Sequence, residues 1–456
     1  MIPLSLKEVA EACIGSIDGA DPDAVVTSVV TDSRAAAPGG LFFALAGEHA
    51  DGHAFASDAL RAGAIAVVAR TDADVARAVR VRDPLEAMGA LAEFVRARLR
   101  ATTIAVTGSS GKTGTKDLTA AACAGERRTV AAHASYNNEI GVPLTIFGAD
   151  EDTEVLVIEV GSRGIGHISS LGPMIRPDVA VVTNIGPAHI GMFGSLDNTA
   201  LAKGELVEML GADGTAVLNA DDERVDALAD RTRGHVVRFG RAAGADVRAE
   251  DVVLDGDARA TFTLLAGNER ASVTLRIPGE HMVSDALAAA AAARAAGVSL
   301  RGAAEGLARA HGSAWRMELH DVGGRRILND AYNANPDSTA AALKALVAMS
   351  HGRPSWAVLG HMAELGAEAR AAHDRVGRLA VRLGVAHLVT VGEDARAIHE
   401  AARLEGMFGG EAIFASTVDE AIAVLRARME PDAVVLVKAS RAAGLERIAL
   451  ALEVPE

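Results

Sequence analysis

The sequence predicts an α/β protein built from three domains. Three observations lead to this prediction: the chain has 456 residues, half of them are apolar, and short apolar runs alternate with helical stretches along most of its length. A chain this long exceeds a single hydrophobic core, and at roughly 150 residues per domain it should hold about three. We place the domains at residues 1–84, 85–312 and 313–456.

The first block predicts a small α/β domain. It mixes the short β-branched runs "AVVTSVVTDSR", "LFFAL" and "AIAVVA" with helical stretches and closes at "VRDPLEAMG". Runs of four to eight residues rich in valine, isoleucine and phenylalanine are typical of strands.

The central block predicts a mostly parallel sheet with helices on both faces. Its strands are "TTIAVTG", "EVLVIEVG", "DVAVVTNIG", "GTAVLNADD" and "GHVVRFG", and helical segments separate them. This alternation indicates βαβ units. Polar and apolar residues alternate over residues 246–277, which predicts antiparallel hairpins there.

The third block predicts a smaller, Rossmann-like α/β domain. The apolar runs "RRILND", "SWAVLGH", "AHLVTVG" and "DAVVLVKAS" again alternate with helical segments. The alanine-rich stretch "ALAAAAAARAAG" before it is broken by Arg294, so we interpret it as a helix of a soluble protein and expect no stable membrane insertion.

Charge and cysteine content limit the possible partners and the compartment. The formal net charge is −15 and no run of five basic residues occurs, which argues against nucleic acid or anionic lipid as a partner. Cys13 and Cys123 lie far apart without metal-type or CxxC spacing, which indicates reduced thiols in a cytoplasmic protein. We therefore expect a cytoplasmic protein that does not bind nucleic acid, and we also expect it to be a monomer.

A glycine loop lies between a strand and a helix in "TTIAVTGSSGKTGTKDLTAAAC". The amides of such a loop and the helix N-terminus bind phosphate, Lys112 would reach the β- and γ-phosphates, and the Thr113 hydroxyl would bind Mg²⁺. The loop is the short form G-x-x-G-K-T beginning at Gly108, because Val106 occupies the first glycine position of the longer pattern. A glycine-rich turn with a surface lysine is the alternative. The predicted phosphate-binding residues are Thr107, Gly108, Ser109, Ser110, Gly111, Lys112 and Thr113.

An acidic residue ends the next apolar strand, "VLVIEVG". A buried carboxylate such as Glu159 is costly unless it is paired or binds a cation, and ligands of open α/β sheets bind beyond the carboxyl ends of the strands. Mg²⁺ coordination would explain it, and a partly exposed glutamate at a strand end is the alternative. His189 follows the next strand and Lys203 lies fourteen residues beyond it; alone, both would more often be solvated surface groups.

Taken together, these residues resemble the Mur ligase family, whose members are ATP-dependent amino-acid or peptide ligases of cell-wall synthesis. The matched motifs span all three blocks: "TGSSGKTGTK", "VIEVG", "TNIGPAHIGMFGS", "ALAKGE", "LNADD", "PGEHMVSDAL", "WRME" and "LVKAS". The resemblance implies ATP, two Mg²⁺ ions and an acyl-phosphate intermediate. It implies that Lys112 and Thr113 hold ATP and metal, that Glu159 and His189 surround the Mg²⁺ ions, and that Lys203 is carbamoylated by CO₂.

The same resemblance assigns roles to the three domains. The first would bind a UDP-muramoyl peptide through Ser33, Arg34, Asp51, Gly52 and His53, the second would bind ATP, and the third would complete the ligase site. Arg316 and Asp330 would complete the catalytic group, although each is also compatible with a surface salt bridge. Further ATP contacts are implied at His281, Asp285, Asn329, Tyr332, Asn333 and Asn335.

Two motifs indicate which substrate a family member of this kind would use. The "YNANP" form at residues 332–336 is similar to members that add D-alanyl-D-alanine to UDP-N-acetylmuramoyl-tripeptide, giving the pentapeptide precursor of peptidoglycan, ADP and phosphate. "SYNNEIGVPLT" also resembles those members, with Asn137 and Asn138 near the muramoyl peptide or the nucleotide. These asparagines could instead cap helices. The third peptide residue, diaminopimelate or lysine, stays open.

Three other functions remain as alternatives. A ligase that adds the third amino acid would share the chemistry, a folylpolyglutamate-type ligase is disfavoured by the "YNANP" form, and a P-loop switch would use nucleotide only to change a partner interaction. Two positions depart from the family pattern. Asp285 stands where asparagine is usual and His361 stands where aspartate is common.

Overall fold

The computed structural model describes residues 1–47, 50–188 and 190–453. Three large sheets lie along the chain, each with its own helices, and the predicted three-domain α/β architecture is confirmed. The predicted domain boundaries stay predictions.

The N-terminal domain contains a five-stranded sheet and a short two-stranded one. The large sheet has the order β2-β7-β6-β5-β4, in which β4 to β7 are parallel and β2 is antiparallel to β7, while β1 pairs with β3. Its elements are β1 Leu4–Ser5, α1 Leu6–Ala12, β2 Ser16–Asp18, β3 Val25–Val26, β4 Ser28–Val30, β5 Gly40–Phe43, α2 Ala56–Arg61, β6 Ala66–Arg70, β7 Ala78–Val81 and α3 Pro84–Arg96.

The central domain contains a nine-stranded sheet of order β16-β15-β14-β13-β12-β11-β8-β10-β9. Its first strands and helices are β8 Thr102–Thr107, α4 Lys112–Ala124, β9 Thr129–Ala131, α5 Gly141–Phe147, β10 Val155–Glu159, α6 His167–Ile175, β11 Val179–Val182, α7 Ile190–Phe193 and α8 Leu196–Glu208. The remainder are β12 Thr215–Asn219, α9 Glu223–Asp226, β13 His235–Gly240, β14 Val247–Leu254, β15 Arg259–Ala266, β16 Glu269–Pro278, α10 Met282–Ala295 and α11 Leu300–Arg309.

Strand order in the central sheet fixes the place of the site. β8 lies between β10 and β11 and runs parallel to both, so the carboxyl ends of these strands meet at one edge. This is the arrangement that opens a ligand crevice in doubly wound sheets. The antiparallel hairpins predicted for residues 246–277 are present as β14, β15 and β16.

The C-terminal domain contains a six-stranded sheet of order β17-β18-β22-β19-β20-β21, in which only β17 is antiparallel to its neighbour. The sequence interpretation did not identify β9, β17 or β21 as strands. The elements are β17 Glu318–Val322, β18 Arg325–Asn329, α12 Pro336–Ser350, β19 Ser355–Leu359, α13 Ala369–Arg382, β20 His387–Val391, α14 Arg396–Glu405, β21 Ala412–Ala415, α15 Val418–Arg428, β22 Val434–Lys438 and α16 Glu446–Glu453.

The alanine-rich stretch forms α10, which is buried between the central sheet and α4. Residues 286–293 are all buried, and their small side chains let the helix backbone lie close to its neighbours. Within residues 1–47, 50–188 and 190–453, no helix is both long and apolar enough to cross a membrane.

Close packing of α10 leads to a stability prediction. Ala290→Leu adds three carbon atoms to a fully buried position, and we expect it to lower the free energy of unfolding by about 1–3 kcal/mol. Urea unfolding followed by circular dichroism measures this. Ala295→Leu, at an exposed position of the same helix, is the control and should change stability little. Equal losses in both variants would contradict the tight packing of α10.

Candidate functional site

A cleft of about 530 Å³ lies between the central and C-terminal domains, at the edge where β8, β10 and β11 end. Sixteen of the predicted site residues line it, and the structure thus brings together side chains spread over more than two hundred positions of sequence. They are Ser109, Ser110, Gly111, Lys112, Thr113, Asn137, Asn138, Glu159, Lys203, His281, Asp285, Arg316, Asp330, Tyr332, Asn333 and Asn335.

The glycine loop between β8 and α4 needs glycine at two positions. Gly111 is the N-cap of α4 with φ +77°, and a Cβ there would lie 2.5 Å from an Asp285 carboxyl oxygen. At Gly108, φ is +154° and a Cβ would lie 1.9 Å from the Thr183 hydroxyl. The Ser110 N–H donates to the Asn184 side chain over 2.9 Å, which fixes the loop to the end of β11. The first turn of α4 therefore opens on the cleft, where its free N–H groups can bind an anion.

The Lys112 ammonium lies over this loop. Its Nζ donates to the Gly108 carbonyl over 2.7 Å. Burial lowers the pKa of Lys112, while the Glu159 carboxylate acts in the opposite direction. The side chain is thus held at the loop, at the place the sequence pattern predicts for a phosphate contact.

A chain of hydrogen bonds joins the Glu159 carboxylate to the C-terminal domain. One Glu159 oxygen accepts from the Thr113 hydroxyl at 2.8 Å, and the other accepts from the Asn137 amide at 2.7 Å. The Ser135 hydroxyl lies 3.0 Å from the Thr113 hydroxyl and accepts from Arg316 at 2.7 Å. Because the Thr113 hydrogen points to Glu159, Ser135 donates to Thr113. Ser135 was not among the predicted site residues, although it lies in the quoted "SYNN" motif.

Lys203 enters the cleft from α8. It is buried, its Nζ lies 5.8 Å from the Phe193 ring centre, and it makes no hydrogen bond or ion pair with any residue that the structure describes. Burial lowers its pKa well below the usual value, and the Lys112 charge lowers it further. Both effects favour the neutral amine over the ammonium. His189, the other predicted ligand from this segment, lies outside the described residues.

The donor set on this wall suits a hard cation. Thr113 and Glu159 offer a hydroxyl and a carboxylate, the oxygen ligands that Mg²⁺ prefers. No group of three or more His, Cys, Asp or Glu side chains with metal-binding geometry occurs among the residues described. Phosphates, water, a modified lysine and His189, which lies outside the described residues, are candidates for the remaining ligands.

The C-terminal wall is built around Arg316 and Asp330. The Arg316 guanidinium lies 4.2 Å from the Tyr332 ring centre, a cation–π contact that orients it toward Ser135. Asp330 accepts from Lys438 at 2.5 Å and from the Met317 N–H at 3.1 Å. Lys438 was part of a matched motif but was not predicted as a site residue, because its partner lies 108 positions away.

Two predicted asparagines accept hydrogen bonds from backbone N–H groups near the start of a helix. Asn335 is the N-cap of α12, with its side chain accepting from the Ser338 N–H at 2.8 Å. Asn138 accepts from the N–H groups of Ile140 and Gly141 before α5. The capping role considered from the sequence is thus present, while both residues also line the cleft.

A polar contact between α4 and Ser313 holds the first residues of the C-terminal domain against the central domain. One Asp117 oxygen accepts from both the N–H and the hydroxyl of Ser313, at 3.0 and 2.7 Å. Lys116 pairs with the other oxygen. This contact was not predicted, because it joins positions 196 residues apart.

Eight predicted residues lie away from the cleft wall. Thr107 donates to the Val160 carbonyl, Gly108 is buried against Thr183, and Asn329 is buried in β18. The five substrate candidates, Ser33, Arg34, Asp51, Gly52 and His53, lie in the N-terminal domain, in or beside two short 3₁₀ helices. His53 accepts from the Arg70 N–H, so its other ring nitrogen donates to Asp51. Their binding roles stay predictions.

Asp285 lies against the phosphate loop. It is buried on the first turn of α10 beside Gly111, and burial raises its pKa to about 7. The Thr115 hydroxyl and the Arg316 charge act in the opposite direction. Nearby His281 is also kept neutral, since burial lowers its pKa to about 4. Burial thus disfavours charge on the α10 side of the cleft, where Asp285 becomes charged only as pH rises through about 7.

Comparison with known proteins matches the chain to one family over most of its length. Three family models match: "Mur ligase family, catalytic domain" at residues 25–107, "Mur ligase middle domain" at 106–293 and "Mur ligase, glutamate ligase domain" at 315–441. The UDP-N-acetylmuramoyl-tripeptide–D-alanyl-D-alanine ligase of Mycobacterium tuberculosis is 44% identical, over 99% of this chain and 98% of that protein.

Solved structures agree with the sequence comparison. A crystal structure of MurF from Acinetobacter baumannii superposes with a TM-score of 0.86 at 30% identity and covers 99% of both chains. The MurF ligase of Thermotoga maritima in complex with ADP gives a TM-score of 0.80 at 26% identity, over 94% of this chain and 97% of that one.

The raised pKa of Asp285 leads to a prediction for stability. The folded state keeps a proton on Asp285 up to a pH of about 7, whereas the unfolded chain loses it near the ordinary value of 3.8. The wild type should therefore lose stability as pH rises through this window, and Asp285→Asn should not. Between pH 5 and pH 8 the variant should gain about 2 kcal/mol relative to wild type.

Denaturant unfolding of the nucleotide-free protein at both pH values measures this gain. Asp197→Asn makes the same chemical change on a side chain that is 89% exposed and serves as the control. If the two variants show the same pH dependence, the buried, neutral state of Asp285 is wrong.

Proposed function

The chain belongs to the Mur ligase family, and we propose that it joins D-alanyl-D-alanine to the terminal carboxylate of UDP-N-acetylmuramoyl-tripeptide at the cost of ATP. One observation supports this most directly: Lys112, the Thr113–Glu159 pair and Lys203 face a single cleft that Arg316 closes from the other domain. The Mycobacterium tuberculosis relative named above carries the name of this ligase, and the chain matches it over 98% of its length.

The reaction has two steps. The peptide carboxylate attacks the γ-phosphorus of ATP, so that an acyl phosphate forms and ADP leaves. The dipeptide amine then attacks the acyl carbon, losing a proton as the C–N bond forms and phosphate departs. Both reactants of the first step are anionic, so the site must offset their repulsion before they can meet.

Groups from two domains offset the repulsion between the peptide carboxylate and ATP. The N–H groups at the start of α4 and the Lys112 ammonium bind the β- and γ-phosphates. Arg316, whose planar guanidinium suits phosphate oxygens, reaches the same cleft from the C-terminal domain. A series of three hydrogen bonds, through Ser135 and Thr113, joins the guanidinium to Glu159.

Magnesium would be held on the central-domain wall. Thr113, Glu159, His189 and a carbamate on Lys203 would provide its protein ligands at two positions, and Asn137 holds the second Glu159 oxygen in place. When bound, Mg²⁺ neutralises phosphate charge and polarises the transferring group. Lys203 must be neutral to add CO₂, and its burial favours that state; the addition releases one proton and turns the amine into an anionic oxygen ligand.

The remaining assignments concern the larger substrate and the compartment. Ser33, Arg34, Asp51, Gly52 and His53 hold the uridine nucleotide, while Asn137 and Asn138 lie toward the peptide end. Both cysteines are free and buried, which supports a reducing compartment and hence the cytoplasm. The enzyme acts there as a monomer on small-molecule substrates.

An omission experiment tests the proposed reaction. Phosphate release should require ATP, UDP-N-acetylmuramoyl-tripeptide and D-alanyl-D-alanine together, and should fall to background when any one is left out. Replacing the peptide and the amine by the substrates of the third-residue ligase or of a folate ligase separates those activities. Slow turnover that no amine accelerates would instead indicate a nucleotide switch.

Removal of the Lys203 amine tests the carbamate. Lys203→Ala should lower kcat by at least about 100-fold, because a metal-binding anion is lost, and short carboxylic acids should restore part of the rate. Leu201→Ala, at an exposed position two residues away on α8, is the control. Full activity of Lys203→Ala without added acid would exclude the carbamate role.

A further inference from the structure

A second cavity, of about 320 Å³, adjoins the cleft and is called the side cavity here. The two spaces share the wall formed by residues 332–335 and Glu364. The far wall of the side cavity is the segment Ser440–Ala442, which follows β22, and Ala188 closes it from the central domain. A small ligand in the side cavity would thus reach the cleft where the acyl phosphate forms.

Hydrogen bonds keep the walls of the side cavity in place. The Ser440 hydroxyl accepts from the Ala363 N–H at 2.9 Å and donates to the Ala334 carbonyl at 3.4 Å. Lys438 donates to the Asn333 carbonyl at 2.9 Å. Three separate loops are therefore joined by hydrogen bonds around the cavity.

The lining matches a small peptide with one carboxylate. Four of its ten described residues are alanines, Ala188, Ala334, Ala363 and Ala442, so the walls are short and apolar where methyl groups would lie. Among the described residues that line it, Arg441 is the only cation. Larger side chains would fill the space that these alanines leave.

Arg441 is held in position from two sides. Its guanidinium lies 4.2 Å from the Trp315 ring centre, and its Nη1 lies 2.6 Å from a Glu446 carboxyl oxygen. A guanidinium has five N–H donors, so this pairing leaves donors for a second carboxylate. A guanidinium fixed in this way can bind a carboxylate with little loss of side-chain entropy.

We propose that Arg441 binds the carboxylate of the incoming dipeptide in the side cavity, with the two methyl groups against the alanine walls and the amine toward the cleft. The inference rests on the proposed function. Charge favours this direction, because Arg441 supplies the only positive charge among the described residues that line the side cavity. Lys438 is an unsuitable anchor, because it lines the cleft and not the side cavity, and its ammonium already donates to Asp330 and to the Asn333 carbonyl.

Removing the two charges in turn tests the contact. Wild-type enzyme is assayed with D-alanyl-D-alanine and with its C-terminal amide, and the ratio of the two kcat/KM values is compared with that of Arg441→Ala. We expect wild type to favour the acid by about 10- to 100-fold, as for a charge-assisted hydrogen bond, and Arg441→Ala to favour it by less than about 3-fold. The KM values for ATP and the UDP-peptide should stay unchanged.

Two further variants keep the result interpretable. Arg441→Gln keeps side-chain length and should lose the same preference, so that it serves if Arg441→Ala unfolds. Arg447→Ala removes an exposed arginine six positions away that pairs with Asp419, and it should keep the wild-type preference. If both Arg441 variants turn over normally and still prefer the acid to the amide as strongly as wild type does, this inference alone is overturned. Absence of dipeptide-dependent phosphate release in wild type would overturn the proposed function as well.

Discussion

The site depends on one constraint, the meeting of three parallel strand ends at a single edge of the central sheet. The glycine loop follows β8, Glu159 is the last residue of β10, and Asn184 follows β11 and holds the loop through a hydrogen bond. A buried carboxylate at this edge would be costly if it were unpaired. The hydroxyl of Thr113 and the amide of Asn137 satisfy its two oxygens, so the negative charge is held ready for a cation.

The third domain completes the site through polar contacts that cross long stretches of sequence. Asp117 holds Ser313 at the start of that domain, and Ser135 holds Arg316 three residues later. Both central-domain residues belong to the P-loop side of the cleft. The position of the arginine is therefore coupled to the loop that binds phosphate, and a shift between the domains would change both together.

Whether a site residue could be predicted from the sequence depends on how far along the chain its interaction partners lie. Lys112, Thr113 and Glu159 could be predicted because a strand–loop–helix pattern and a charge on an apolar strand are local signals. Ser135 and Lys438 were missed because their roles arise only from partners brought close by the fold. Fold class was predictable for a related reason, since alternation of strands and helices repeats along the whole chain, whereas the edge strands β9, β17 and β21 are short or weakly patterned.

The distribution of charge in the two cavities provides separate binding places for the phosphates and for the dipeptide carboxylate. Lys112 on the central domain lies where the phosphates would bind, burial disfavours charge on Asp285 and His281 of the α10 wall, and Arg441 lies apart in the side cavity. An anionic dipeptide is thus drawn to a place where it does not compete with the phosphates for Lys112. Its amine is then the only end left facing the acyl carbon, so that electrostatics alone favours attack by nitrogen over occupation of the phosphate site by the carboxylate.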